Sequence, residues 1–332
     1  MKRQIGIIGY GNIGKCLHRR LTDLGYSPNW IIYSRQDVKN QYLIPGTSLV
    51  FLAIPSSGNG EVARDYILDA IYAGAKVITC EKAALAYQYV FLQPHMNDIK
   101  YSAAVGGGTR MLSFLRERNA LGCIEEVNFV LNGTLNYIFD LIAKEKFSLQ
   151  DACSFAVQNG YAEPGATDPL SIINGEISDV AKKVCIILNT EYTKNNSTTP
   201  QMIEQALTLS KADLEQLLLP GQMGRMIISI NHHEVLRNRF LFGPNPSSVD
   251  YVKHFQFPVG DYIAFGGFLR KKTDYIDSSW FPTGINNAIQ IIERHEHVSS
   301  SDRYVLSGPG AGAEPTVSAM ITDMLEFIEE EK

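Results

Sequence analysis

The chain has 332 residues, 45% hydrophobic and 20% charged, with a formal net charge of −5. This balance is ordinary for a soluble globular protein, and the acidic surplus argues against a general nucleic-acid or membrane surface. The length points to two domains, no apolar run approaches the roughly 18 residues of a membrane helix, and five scattered cysteines with no CxxC pair suit a reduced cytoplasm.

Met1-Lys2-Arg3 has the basic character of a signal peptide, but the apolar run behind it breaks at Gly9 to Asn12, so secretion is not expected. Ile5, Ile7 and Ile8 read as a strand buried on both faces of a parallel sheet. Gly9-Tyr10-Gly11-Asn12-Ile13-Gly14 follows, and then Ile13, Leu17 and Leu21 recur at helical spacing until Gly25. Strand, glycine turn and helix in this order form a dinucleotide-binding fingerprint. Gly9 permits the tight turn, Gly11 lets backbone approach a pyrophosphate, and Gly14 lets the helix pack on the strand. The helix start at Asn12 and Ile13 then offers N–H groups to phosphate.

Trp30 to Tyr33 reads as a second strand. An acidic residue is expected at its end in an NAD site, yet the chain carries Ser34-Arg35 and no carboxylate before Asp37. Arg35 and Ser34 suit a 2′-phosphate, which favours NADP, with NAD still possible. Leu49 to Ile54 is a strand, with Ala53 near its end as a cofactor contact. Residues 62–73 read as a helix, 76–79 as a strand, and Tyr101 to Val105 as a strand closing on Gly106-Gly107-Gly108. Such alternation predicts a doubly wound parallel sheet.

From about residue 132 helices dominate, at 136–145, 148–159 and 175–188. The polar stretch NTEYTKNNSTTP (189–200) reads as a surface loop. Residues 225–300 read as antiparallel strands and turns. A final helix shows an apolar stripe of Val317, Met320, Ile321, Met324, Leu325 and Ile328, with Pro315 in its first turn.

Four stretches carry a resemblance: VITCEKAALA (77–86); AAVGGGTRML (103–112); LNGTLNYIFDLI (131–142) with FSLQDACSFAVQNGYAEP (147–164); and LSGPGAGAEPTVSAMITDML (306–325). Together they resemble homoserine dehydrogenases, in a short form without an aspartate kinase or ACT domain. The resemblance implies an α/β fold: an N-terminal Rossmann dinucleotide-binding domain over 1–131, with 306–332 returning to it, and an α+β catalytic and dimerisation domain over 132–305. It implies reversible oxidation of L-homoserine to L-aspartate 4-semialdehyde with NAD(P), in threonine and methionine biosynthesis, by a cytoplasmic homodimer.

By residue, the resemblance places Lys82 as a catalytic lysine near the nicotinamide and substrate, Lys183 as acid/base at the substrate hydroxyl, and Asp179 beside it. It places Glu163 at the substrate amino group, with Asp168 as a further substrate carboxylate. Gly133 and Thr134 form the turn between substrate and cofactor, and Gly308 and Gly310 belong to a loop closing over the nicotinamide. Ser102 stands where the family usually has a glutamate that helps bind a monovalent cation, so Val105 and Gly107 carbonyls remain as its candidate ligands. Arg110 stands where a proline is usual. Ile172 occupies the place of a second aspartate, which Asp168 or Glu176 would have to supply; otherwise homoserine binding is weakened.

The chemistry fits this assignment. A hydride leaves a carbinol carbon only as its hydroxyl proton is taken, which requires a base within hydrogen-bond reach. A second ammonium, as in a Lys82–Lys183 pair, lowers a lysine pKa, and Asp179 lies one helical turn before Lys183. Two other readings keep the fold: a reductase for another small hydroxy or oxo acid, and a catalytically silent NADP-binding regulator.

Overall fold

Residues 4–32, 46–120, 122–162, 167–192, 198–219, 225–232, 251–269, 278–294 and 301–330 are described by the structure, a computed structural model. They form two compact units, Met1–Arg110 with Ala311–Lys332, and Met111–Gly310. No described helix is long and apolar enough to cross a membrane.

In the first unit, β1 (Gln4–Ile8), β2 (Trp30–Ile32), β3 (Thr47–Leu52), β4 (Lys76–Thr79) and β5 (Ile99–Lys100) form a sheet in the order β2-β1-β3-β4-β5. Every pairing is parallel. One face, with Ile5, Ile7, Leu49, Phe51 and Ile78, packs on Leu17 and Leu21 of α1 (Asn12–Asp23) and on Met320 and Met324 of the C-terminal helix (Ala313–Glu330). Burying each such side chain contributes about 1.5–3 kcal/mol. Helix α2 (Glu61–Tyr72) lies against β3 and β4, and α3 (Ala83–Tyr87) and α4 (Tyr89–Leu92) follow β4. The C-terminal helix thus returns to the nucleotide-type sheet, as expected. Its buried stripe includes Phe327, whereas Leu325 is exposed.

The second unit is built on an antiparallel sheet of β6 (Ile124–Val130), β7 (Met226–His232), β8 (Tyr251–Val259), β9 (Tyr262–Leu269), β10 (Asn286–Arg294) and β11 (Ser301–Pro309), in the order β11-β10-β6-β7-β9-β8. Its described helices are α5 (Met111–Asn119), α6 (Gly133–Glu145), α7 (Leu149–Gln158), α8 (Pro169–Ile187), α9 (Pro200–Leu207) and α10 (Lys211–Leu217). Ile138 and Leu141 of α6, Ala152 and Ala156 of α7, and Ile172 of α8 share a small core.

Three details differ from the reading of the sequence. Tyr101 to Val105 is not a strand; β5 ends at Lys100 and Ser102–Ala104 forms a 3-10 turn. Leu188–Tyr192 continues α8 as a π-helical turn rather than opening a loop. Strand β6 hydrogen-bonds between β7 and β10, so the stretch 111–131 packs with the second unit and the packing boundary falls at Arg110, not at residue 131.

Candidate active site

In the first unit the strand order reverses between β1 and β3, and ligands of open α/β sheets bind at the carboxyl edge of such a switch point. A cleft of about 550 Å³ lies there, lined by Gly9, Gly11, Asn12, Ile13, Ala53 and Tyr66 among others. Gly9 has φ +95, and a Cβ on Gly14 would stand 2.0 Å from the Gly9 carbonyl oxygen, so α1 approaches this turn only through glycine. A Cβ on Gly11 would meet nothing within 4 Å, which leaves its backbone open to the cleft. Helix α1 has no acidic residue in its first turn and no side-chain cap. Its leading N–H groups are therefore available to an anion, and these residues fit a dinucleotide pyrophosphate. Ser34 and Arg35 lie outside the described residues.

The far wall of the cleft includes Glu81, which is 1% exposed. Its carboxylate accepts the N–H groups of Ala83 at 2.7 Å and Ala84 at 2.8 Å, capping α3. Burial raises its pKa, and these two N–H donors oppose that rise. The backbone N–H of Lys82 donates to Ser56 Oγ at 2.8 Å, which fixes where the Lys82 side chain leaves the main chain.

The second unit gathers another cluster. Lys183 Nζ lies 2.6 Å from Asp179 Oδ2 and donates to the Leu131 carbonyl at 2.8 Å. Asn132 Nδ2 donates to Glu176 Oε2 at 2.6 Å and to Asp179 Oδ2 at 3.3 Å. Its Oδ1 accepts from Leu135 N, capping α6. Glu176, Asp179 and Lys183 are spaced by three and four residues, which places them on one face of α8. Two consecutive residues ahead of α6 therefore hold the ammonium and both carboxylates.

The other expected site residues fall as follows. Gly133 opens α6 tight against the Ile285 carbonyl, and Thr134 Oγ1 donates to Tyr161 O at 2.6 Å. Glu163 lies outside the described residues. Asp168 is the N-cap of α8, its carboxylate accepting from Ser171 N and Ser171 Oγ at 2.9 and 2.7 Å. The Ser171 hydroxyl leads in lowering its pKa. At 1.5 Å per residue, Asp168 stands about 22 Å along the helix from Lys183, so it is a cap and not a partner of that lysine. Ile172 packs in the α6–α7–α8 core, one turn before Glu176. Gly308 is a strand residue, paired with Asn287 across β10 and β11. Gly310 lies against the buried Asn287 side chain, leaving no room for a Cβ.

Val105 and Gly107 flank Gly106 in the loop after β5. Ser102 brings no anionic ligand there: its N–H and Oγ both point to Asp323, at 3.0 and 2.5 Å. The Arg110 guanidinium faces the same carboxylate at 3.5 Å. Among the described residues no group of three or more His, Cys, Asp or Glu is placed to hold a metal ion. The Asp323 carboxylate at this loop is thus already met by Ser102 and Arg110.

Three contributors went unread in the sequence: Asn132, the Leu131 carbonyl and Glu81. Asn132 carried a usable signal, since an asparagine directly before a helix is a favoured N-cap. The two others act through backbone oxygen or a buried cap, which residue type alone does not announce.

Sheet order, glycine turn and cleft give this chain a Rossmann-type first unit, and its second unit is built on an antiparallel sheet. A family model described as homoserine dehydrogenase matches residues 111–325, and the chain belongs to the homoserine dehydrogenase family. It is 29% identical over 264 residues to a homoserine dehydrogenase of Helicobacter pylori, covering 75% of this chain and 51% of that one. The chain thus spans about half the length of that relative. A homoserine dehydrogenase structure from Thermoplasma acidophilum aligns over 99% of this chain and 100% of its own, with TM-score 0.64 and 17% identity. A hyperthermophilic archaeal homoserine dehydrogenase in complex with NADPH aligns over 98% and 97%, with TM-score 0.60 and 18% identity.

Proposed function

We propose that this chain interconverts L-homoserine and L-aspartate 4-semialdehyde, with NADP in preference to NAD. The observation that carries the proposal is Lys183, held by Asp179 and the Leu131 carbonyl on a face that also presents Glu176. The nicotinamide, when bound, takes up or returns the hydride of the substrate carbinol carbon. In the reduction the Lys183 ammonium gives a proton to the carbonyl oxygen as the hydride arrives, and in the oxidation the neutral Lys183 amine takes the hydroxyl proton as the hydride leaves. Asp179 orients the ammonium. Glu176, with Glu163, receives the substrate amino group, and Asn132 holds Glu176 in place for it.

In the first unit, the glycine turn and the start of α1 bind the pyrophosphate, and Arg35 with Ser34 receives the 2′-phosphate. Lys82 serves at the nicotinamide end, and Gly308 and Gly310 contribute to cofactor binding. The NADPH carried by the archaeal relative supports the choice of cofactor. A cytoplasmic homodimer acting in threonine and methionine synthesis belongs to the same proposal, and the five cysteines are free thiols. The test is absorbance at 340 nm with L-homoserine and NADP or NAD, beside a panel of other small hydroxy acids. Turnover of homoserine above the panel supports the proposal, and turnover of another acid alone refutes it.

A further inference from the structure

The loop from Ser102 to Thr109 leaves the carboxyl end of β5 and is pressed onto the C-terminal helix along its whole length. At its start, Ser102 gives both its N–H and its hydroxyl to Asp323. In its middle, a Cβ on Gly108 would stand 2.5 Å from Pro315 Cβ, so only glycine lets loop and helix touch there. At its end, Arg110 reaches back to Asp323 at 3.5 Å and forms a close ion pair with Glu326. One carboxylate, 1% exposed, therefore grips both ends of the loop.

Arg110 sits there at local cost. Its φ is +49, a left-handed conformation that a side chain with a Cβ adopts only when its surroundings demand it. Its Nε is buried with no hydrogen-bond partner. What holds it is charge: Asp323 is buried in the apolar stripe of the helix, where an ionised carboxylate needs a nearby cation. Lys100 is occupied on the outer side, with Glu330 at 2.7 Å and Glu326 at 3.2 Å. We propose that the Arg110 guanidinium is the resident cation of this loop, bridging Asp323 and Glu326, so that the loop keeps its order without any bound monovalent ion. The claim concerns the first unit alone and does not depend on which substrate the chain turns over.

The test is thermal denaturation of the full chain in sodium, potassium and choline chloride at matched ionic strength, with NADPH titration by fluorescence in the same three salts. The expected result is one Tm and one NADPH Kd in all three. Arg110→Met should lower Tm by about 2–4 °C or more, the scale on which one lost contact of this kind registers in a chain of this size. Arg110→Lys should restore part of the loss. A Tm or Kd that improves in sodium or potassium over choline overturns the proposal, and this arm needs no variant. So does an Arg110→Met chain that melts with the wild type.

Discussion

Lys183 and Asp179 stand one turn apart on α8 with Nζ and Oδ2 separated by 2.6 Å. The backbone carbonyl of Leu131 and the side chain of Asn132 meet this pair from outside the helix. A lysine on an exposed helix face swings among many rotamers; this one, 8% exposed, is fixed by two acceptors. Pre-positioning of that kind is what proton transfer between a lysine and a substrate oxygen requires.

The first prediction separates two carboxylates. Glu176→Gln removes the charge offered to a substrate ammonium, and the KM for homoserine should rise roughly tenfold or more, the consequence of losing about 1.5–3 kcal/mol from a charged hydrogen bond. Asp168→Asn should leave KM unchanged, since Asp168 caps α8. If Asp168→Asn raises KM and Glu176→Gln does not, the site has been built on the wrong residue.

The proposed preference for NADP rests on Arg35. Arg35→Ala should weaken NADPH binding by about 1.5–3 kcal/mol and leave NADH almost unaffected. Fluorescence titration with both nucleotides decides it: equal losses, or none, remove Arg35 from the 2′-phosphate.

The Asp323–Glu326 side of the C-terminal helix supplies a pH signature. Burial acts most strongly on Glu326 and raises its pKa, but hydrogen bonds from Arg110 and Lys100 outweigh it, and the net result lies below the ordinary 4.5. A lowered folded-state pKa means stability that is present above 4.5 and lost as pH falls through the folded value. Asp323 runs the other way: burial above all lifts it to about 6, so its contribution is greatest below its ordinary value and declines as pH rises through 6. The Tm difference between wild type and Glu326→Gln isolates the former. It should be clear at pH 7 and shrink as the pH drops below 4.5; a difference that grows in acid contradicts the assignment.

The nucleotide half was legible because its signals are local. Ile5, Ile7 and Ile8, the three glycines and the Leu17–Leu21 spacing lie within one strand, one turn and one helix, and each needs only its neighbours to be read. The pairing of Asp179 with Lys183 was legible for the same reason, being a single helical turn. Asn132 was not, because its partners Glu176 and Asp179 come from another helix. The capping role of Asp168 was legible in the Asp-Pro step, which before a helix marks a cap and a first-turn proline. Asp323 lay hidden in an apolar stripe, where periodicity registers hydrophobic positions and passes over a carboxylate that Ser102 and Arg110 satisfy from 221 and 213 residues away.

The most direct test of the account is the steady-state oxidation of L-homoserine by Lys183→Ala beside the wild type, with NADPH affinity measured on both. Lys183 and the glycine turn belong to different units, and the proposed task of Lys183 is proton transfer alone. The account predicts turnover lowered by on the order of a hundredfold or more, the usual reach of a general acid or base, with NADPH affinity retained. Near-normal turnover in Lys183→Ala would contradict it and pass the proton to Lys82.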